Sequence, residues 1–178
     1  RSNPLELAWG ASDAGASDTR VAVGGWFSLK PNSSKLEVFW FSYTLTAELV
    51  PWAFAKISAK RKIAALELLG TVLLIRFMCA KVGPRAVDVV LPVATDNQGN
   101  SYALAKRSAR KWPNCALMME LAAQEMYTGA RASVSHVKRD DNQWSDDLTN
   151  DKFDGFSKDL RLEVDFKKLP PWIIFDDL

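Results

Sequence analysis

The sequence predicts an α/β domain built on a five-stranded mixed sheet, flanked by helices and followed by a C-terminal extension. Early apolar segments of strand length, rich in Val and aromatic residues, are separated by short turns, which is typical of an antiparallel meander. Later segments alternate between strand and helix patterns, which is typical of parallel strands. The chain has 178 residues, of which 48% are hydrophobic and 25% charged, and this is enough for one such core.

Three strands are predicted in the first part of the chain. The first covers 5–10 ("LELAWG") and is followed by a turn of small residues, "ASDAGASD", over 11–18. The second covers 20–29, and the third covers 36–45, where aromatic residues alternate with a period of two. Period-two alternation is the pattern of a half-buried strand, so we expect these segments to form the antiparallel part of the sheet.

A buried helix and a central strand are predicted next. Residues 57–81 contain strong helix formers with apolar residues on every side, which indicates a helix buried against a sheet. The continuous apolar run at 87–95 is typical of a strand covered on both faces. The remaining predicted elements are helices over 98–110, 114–127 (with Asn114 as its cap) and 140–150, and a strand over 130–139.

Charge and cysteine content limit the classes of function. The formal net charge is only +2, but basic residues are clustered at 60–62 and at 106–111, and such patches attract polyanions. Cys79 and Cys115 lack metal-ligand spacing and are interpreted as reduced thiols of an intracellular protein. The longest apolar run is interrupted by charges and too short to span a bilayer, so we expect no membrane partner.

Acidic residues lie within several of these elements or at their ends. Asp13 follows the first predicted strand, Asp96 ends the strand at 87–95, and Asp146 and Asp147 lie in the last helix. Taken singly, each has an ordinary structural interpretation as a turn residue, a helix cap or a solvated charge. The alternatives are therefore structural acids or a shared chemical site.

Glu67 is the acid that an ordinary interpretation explains least well. Leucines surround it in the sequence, and no basic residue lies three or four positions away on the same helix. Because burying an unpaired carboxylate costs several kcal/mol, a group outside the helix must compensate its charge. A divalent cation shared with other acids would do so, and oxygen ligands suit Mg²⁺ or Mn²⁺.

These local sequences together resemble the ribonuclease H superfamily. The resemblance rests on Asp13, on Glu67 within "ALELL", on Asp96 within "TDNQ" and on "HVKRDDNQWSDDL" at 136–148. It is nearest to the RNase H domains that accompany the reverse transcriptases of retroelements. It implies an RNase H-like fold over residues 1–150, with 151–178 as an extension packed on that domain.

The last of these segments carries the most specific part of the resemblance. It is similar to the His-x-x-x-x-x-Asn-x-x-Ala-Asp-x-Leu ending of such domains, with Asn142 in the asparagine position and Ser145 replacing Ala. His136 precedes Asp146 by ten positions, which is the interval that the family keeps. The resemblance therefore favours Asp146 over its neighbour Asp147.

The resemblance also implies residue roles. Asp13, Glu67, Asp96 and Asp146 would bind two Mg²⁺ (or Mn²⁺) ions and be catalytic together with His136, which would handle a proton. Two cations about 4 Å apart activate a water and stabilise the leaving oxygen in phosphodiester hydrolysis. The implied substrate-binding residues are Gln98, which would contact the minor groove, and Asn97, Lys106, Arg107, Arg110 and Lys111.

The function implied is metal-dependent hydrolysis of the RNA strand of RNA/DNA hybrids, with an attached reverse transcriptase domain as partner. Two alternatives stay open, which are a nuclease of the same fold acting on DNA and a catalytically inactive scaffold that only binds. Family members often carry an asparagine where this chain has Ile63 and Ala64, and Ala14-Gly15 replace the usual residues after the first Asp. Both departures concern the selection of RNA over DNA.

Overall fold

The computed structural model describes residues 9–56, 59–83 and 89–163. Within them the strands are β1 (Gly10–Ala16), β2 (Val21–Phe27), β3 (Phe39–Leu45), β4 (Val90–Thr95) and β5 (Arg131–His136). The α-helices are α1 (Pro51–Phe54), α2 (Ala59–Val82), α3 (Gln98–Lys106), α4 (Asn114–Thr128) and α5 (Gln143–Thr149). Short 3₁₀ turns lie at Arg139–Asp141 and Lys158–Leu160.

The five strands form one mixed sheet in the order β3-β2-β1-β4-β5. The pairs β1/β2 and β2/β3 are antiparallel, whereas β1/β4 and β4/β5 are parallel. The predicted class is therefore confirmed, including the change from a meander to parallel pairing. This change places β1 and β4 side by side in the centre of the sheet.

The prediction for the first strand was wrong. The run of small residues expected to be a turn is β1 itself, Gly10–Ala16, and residues 5–8 of the predicted strand lie outside the described residues. Small side chains have low strand propensity, but packing decides at this position. Ala11 and Ala14 are buried, and the Ser12 hydroxyl lies 3.2 Å from that of Thr71 on α2. Asp13 therefore lies inside a strand and not after one.

Several boundaries also differ from the predicted ones. Strand β3 begins at Phe39, three residues later than expected. Helix α3 ends at Lys106 because Arg107 takes a left-handed conformation, with φ of 50°, and caps the helix with its own N–H. Asn114 is the first residue of α4 and not its cap, since Pro113 holds that position without a side-chain hydrogen bond.

Helix α2 is the central helix of the core, as its sequence predicts. Residues Arg61–Val82 are long and apolar enough to cross a membrane by length and composition alone, but 78% of their most apolar window is buried inside the protein. The helix packs on β1, β2 and α4. Burial of this kind is expected where a helix is covered by a sheet on one side and by another helix on the other.

Residues 151–163 pack on the outer strand of the sheet. The Trp40 indole donates to the Ser157 carbonyl oxygen at 2.6 Å, and the Leu162 N–H donates to the Trp40 carbonyl oxygen at 2.7 Å. The Arg161 guanidinium stacks on the rings of Trp40 and Phe153. Residues 164–178 lie outside the described part of the chain, so the division of the chain at residue 150 stays a prediction.

Candidate metal centre

Three acidic side chains that are distant in the sequence meet at the centre of the sheet. One carboxylate oxygen from each of Asp13, Glu67 and Asp96 lies within 4.8 Å of the other two. The strand register explains two of the three. Ala11 of β1 pairs with Ala94 of β4 in parallel register, and each acid follows its paired alanine by two residues. Since side chains alternate along a strand, both carboxylates occupy equivalent places on neighbouring strands.

Helix α2 supplies the third carboxylate. Residues three and four apart share one face of a helix, and Thr71 places that face of α2 on β1 through its contact with Ser12. A Cβ added to Gly70 would lie 3.5 Å from the Asp13 carbonyl oxygen. Glu67 lies one turn earlier on this face, which directs it toward Asp13. The leucines around Glu67 in the sequence predicted that this residue is buried, and the structure confirms it.

The protein environment disfavours negative charge on all three acids. Burial raises the pKa of Asp13 from 3.8 to about 6, and the charges of Asp96 and Asp146 add to this effect. Burial raises the pKa of Glu67 from 4.5 to about 7, although the hydrogen bond from Asn97 acts to lower it. Burial also raises the pKa of Asp96, and Arg139 acts against this. Clustered carboxylates with raised pKa values are a frequent property of functional sites.

Two asparagine side chains hold this group in place. The Asn97 amide nitrogen donates to Glu67, while the Asn97 side-chain oxygen accepts from the backbone N–H of Asn100 at 2.9 Å and caps α3. The Asn142 amide donates to the Ser12 carbonyl oxygen at 3.1 Å and lowers the pKa of Asp96. The helix cap after β4 is therefore Asn97 and not Asp96. Asp96 belongs to the carboxylate cluster.

The donor set fits a divalent cation. All of the ligand atoms are carboxylate oxygens, which Mg²⁺ and Mn²⁺ prefer. Asp13 is only 2% exposed, and its Oδ1 atom has no hydrogen-bond partner among the described residues. A buried carboxylate oxygen without a donor is costly unless a cation compensates it. This observation does not depend on any resemblance.

Asp146 lies close to the three acids but outside the 4.8 Å set. Its charge contributes to the raised pKa of Asp13, and its helix, α5, packs on β1. Helix α5 reaches that position because Gly24, the residue paired with Asp13, has no side chain. A Cβ at Gly24 would lie 2.9 Å from the Leu148 Cβ.

The neighbouring Asp147 has a different environment. It accepts from Lys35 at 3.2 Å and from Gln143 at 2.9 Å. Partial burial acts to raise the pKa of Asp147, but these two hydrogen bonds and the charge of Lys35 lower it below its usual value. Asp147 is therefore held by an ion pair with Lys35, while the preference for Asp146 as the metal-binding acid stays a prediction.

His136 ends strand β5 at the same edge of the sheet. It pairs with Thr95, the residue before Asp96, and its side chain is exposed. Its charge is among those that lower the pKa of Asp96. The side chain is thus close enough to interact with the cluster and open to solvent.

The residues predicted to bind substrate divide into two groups. Gln98 is the exposed first residue of α3, one position after Asn97. Arg107 is engaged within the protein, since its guanidinium donates to Glu125 at 2.7 and 2.9 Å and to the Ala132 carbonyl oxygen at 2.6 Å. The other basic residues predicted to bind substrate, which are exposed, are Lys106, Arg110 and Lys111.

One charged group at this edge, Arg139, was not predicted from the sequence. Arg139, in the turn after β5, places its Nε atom 4.0 Å from the Asp96 Oδ2 atom. Its position three residues after His136 could have indicated that it lies near the acids, because parallel strands end at the same edge of a sheet. The polar run "KRDDNQ" resembles a solvated loop, and this concealed it.

Comparison with solved structures identifies the fold. LC11-RNase H1, isolated from compost by a metagenomic approach and solved in complex with an RNA/DNA hybrid, matches with a TM-score of 0.56 at 15% identity, over 82% of this chain and 95% of the other. RNase H1 from Halobacterium salinarum matches with a TM-score of 0.53 at 15% identity, over 82% and 96%. The N-terminal RNase H domain of a Mycobacterium tuberculosis protein matches with a TM-score of 0.52 at 15% identity, over 82% and 93%.

The five-stranded mixed sheet and its helices thus form an RNase H-like fold. The structural neighbours are RNase H1 domains, and their likeness to this chain is one of fold. No protein-family model and no curated protein matches the chain. At 15% identity the likeness defines the fold, and the chemistry must be argued from the residues of the site.

Proposed function

We propose that the chain is a metal-dependent endonuclease that hydrolyses the RNA strand of RNA/DNA hybrids. The observation that carries this proposal is the cluster of Asp13, Glu67 and Asp96 within 4.8 Å, with a buried Asp13 oxygen for which the described part of the chain offers no hydrogen-bond donor. Two Mg²⁺ or Mn²⁺ ions bound there would activate the attacking water and stabilise the leaving oxygen. Asp146, beside Asp13, is proposed as the fourth metal-binding acid.

The positions of the other residues support the roles proposed for them. Asn97 fixes the Glu67 side chain and so prepares it to bind a cation without reorganisation. His136 is exposed beside the cluster, and because an imidazole can both accept and donate a proton, it suits proton transfer at the attacking water or the product phosphate. Gln98, exposed at the start of α3, would contact the minor groove of a hybrid, where the 2′-hydroxyl distinguishes RNA from DNA.

The basic residues that follow the cluster support a nucleic-acid substrate. Lys106, Arg110 and Lys111 are exposed, and phosphate contacts by such residues make binding dependent on salt. We further propose that the chain acts inside the cell together with a reverse transcriptase domain. That part of the proposal is supported by the likeness of the segment at 136–148 to retroelement domains.

A cleavage assay on labelled nucleic acids tests the proposal. An RNA/DNA hybrid is compared with single-stranded RNA, single-stranded DNA, duplex RNA and duplex DNA, in Mg²⁺, in Mn²⁺ and in EDTA. We expect cleavage of the RNA strand of the hybrid only when a divalent cation is present. The Asp96→Asn protein should lose this activity, whereas Asp18→Asn, the same change at an exposed position, should retain it.

Other outcomes would favour the alternatives. Cleavage of duplex DNA in preference to the hybrid would favour a DNA nuclease, which the half-buried Ile63 and Ala64 in place of an asparagine would then explain. Equal background in the wild type and in Asp96→Asn would leave only a binding role. Hybrid binding without cleavage, measured by anisotropy, would identify that binding role directly.

A further inference from the structure

Arg139 lies in a turn whose backbone is firmly attached to the strand that carries Asp13. The Asn142 N–H donates to the Arg139 carbonyl oxygen at 3.0 Å, and the Asn142 side chain donates to the Ser12 carbonyl oxygen at 3.1 Å. The backbone of the turn is thus fixed relative to β1. Any change in the position of the guanidinium must come from rotation of the long side chain.

The Arg139 side chain is both close to the carboxylates and open to solvent. Its Nε atom is 4.0 Å from the Asp96 Oδ2 atom, which is beyond hydrogen-bond distance, and the side chain is 75% exposed. Its charge lowers the pKa of Asp13 and Glu67 as well as that of Asp96. One exposed cation therefore acts on the whole cluster without being bound tightly to any member.

A cation held in this way is placed to exchange partners. Divalent ions bound by the three acids would remove the attraction for Arg139 and repel its positive charge. A guanidinium presents a planar set of donors that binds phosphate oxygens in a bidentate manner. A nucleic acid whose backbone lies over the cluster would bring phosphates within reach of this side chain.

We propose that Arg139 offsets part of the negative charge of the carboxylate cluster in the metal-free protein and binds a backbone phosphate of the nucleic acid once divalent cations have replaced it. This inference rests on the proposed function and deepens it by assigning a substrate contact at the cluster itself. Arg139 thereby makes metal binding and substrate binding depend on each other, because the same guanidinium competes with one and assists the other.

The first test measures metal affinity in the absence of nucleic acid. Titration of Mn²⁺ by calorimetry, or of Tb³⁺ by luminescence, is carried out on the wild type, Arg139→Gln and Arg139→Lys. Removal of the competing charge should tighten metal binding by about 3- to 10-fold in Arg139→Gln, since the side chain is largely exposed and its attraction is screened. Arg139→Lys should lie between the other two.

Lys138→Gln is the matched control for this test. Lys138 is also exposed and lies in the same turn, but unlike Arg139 it is not among the main charges that shift the pKa of Asp13, Glu67 or Asp96. Its metal affinity should stay within about twofold of the wild type, since a surface charge that does not contact the acids contributes little. An equal gain in both glutamine variants would mean that only the net charge matters and would overturn the specific role of Arg139.

The second test measures the salt dependence of hybrid binding. Affinity is followed by anisotropy in Ca²⁺ and in EDTA, and the hybrid is checked on a gel to be intact. In Ca²⁺ the slope of log K against log salt should be smaller by about 1 in Arg139→Gln, because one phosphate contact is lost. In EDTA the slopes of variant and wild type should agree, since the guanidinium then stays with the carboxylates.

Failure of the inference and failure of the proposed function are distinguishable. If the wild type binds neither metal nor hybrid, the proposed function fails, and the variants are not needed to show it. If the wild type binds both while Arg139→Gln has unchanged metal affinity or an unchanged salt slope in Ca²⁺, the role of Arg139 is overturned and the proposed function stands.

Discussion

Replacing Glu67 by Gln should stabilise the metal-free protein above neutral pH. Glu67 is only 6% exposed, and burial raises its pKa from 4.5 to about 7. Glutamine has the same shape and retains an oxygen to accept the hydrogen bond from Asn97, but it carries no charge. The substitution therefore removes the cost of a buried anion and leaves the packing of α2 unchanged.

The size and the sign of this effect follow from proton linkage. Because the folded-state pKa of Glu67 is raised, the folded state binds more protons than the unfolded state between pH 4.5 and about 7, and stability falls as pH rises through this window. At about 1.4 kcal/mol per pKa unit, the loss is about 3 kcal/mol at pH values above the folded-state pKa. Glu67→Gln should recover most of it.

Urea unfolding in EDTA at about pH 5 and about pH 8 measures this difference. The Glu67→Gln protein should exceed the wild type by about 2–3 kcal/mol at the higher pH and by much less at the lower one. Glu48→Gln, the same change at an exposed position, should change neither value. A Glu67→Gln protein that is no more stable than the wild type at about pH 8 would refute the view that a charged, buried Glu67 opposes folding.

Three further predictions concern the same site. Gly24→Ala should destabilise the protein by about 1–3 kcal/mol and reduce hybrid cleavage, because the added Cβ would force α5 away from the sheet. Urea unfolding and the cleavage assay measure the two effects. Gly15→Ala is the control, since its added Cβ has its nearest neighbour at 3.9 Å. Asp146→Asn should abolish cleavage, whereas Asp147→Asn should retain it and cost less than about 1 kcal/mol through loss of a partly exposed ion pair. Addition of Mn²⁺ should raise the thermal midpoint more at about pH 8 than at about pH 5, since protons compete with the metal for the carboxylates.

Each of these predictions can be contradicted by a single result. Equal cleavage by the two glycine variants would show that α5 tolerates displacement. Loss of cleavage in Asp147→Asn, with Asp146→Asn active, would reverse the assignment of the fourth acid. A thermal shift with Mn²⁺ that is the same at both pH values would show that the ion binds elsewhere than at these carboxylates.

Much of the fold could be predicted because local patterns agreed with the tertiary structure. Helix α2 and strand β4 lie close to their predicted positions. The length and composition of each apolar run indicated a single type of secondary structure. Strand β1 could not be found in this way. Its small residues are selected by the elements that cover it, such as Thr71 opposite Ser12, and that information is not local.

The candidate site also has features that could be predicted from the sequence and features that depend on tertiary contacts. The burial of Glu67 was predicted from its leucine neighbours, and its approach to Asp13 and Asp96 was expected from the order of the elements in a known family. The hydrogen bond from Asn97 to Glu67 and the proximity of Arg139 to Asp96 were not predicted. Both depend on how far each strand extends past its last paired residue, and hydrophobic periodicity carries no information on this.

The amide of Asn97 connects two parts of the site that would otherwise respond separately. Its oxygen fixes the first turn of α3, at which Gln98 stands, and its nitrogen holds Glu67. Because the amide group is planar, a rotation that moves its nitrogen relative to Glu67 also moves its oxygen relative to the first turn of α3. Any event that repositions the Glu67 carboxylate therefore acts on the orientation of Gln98 as well. Under the proposed function, cation binding at Glu67 and contact of Gln98 with the substrate would therefore be coupled through the Asn97 side chain.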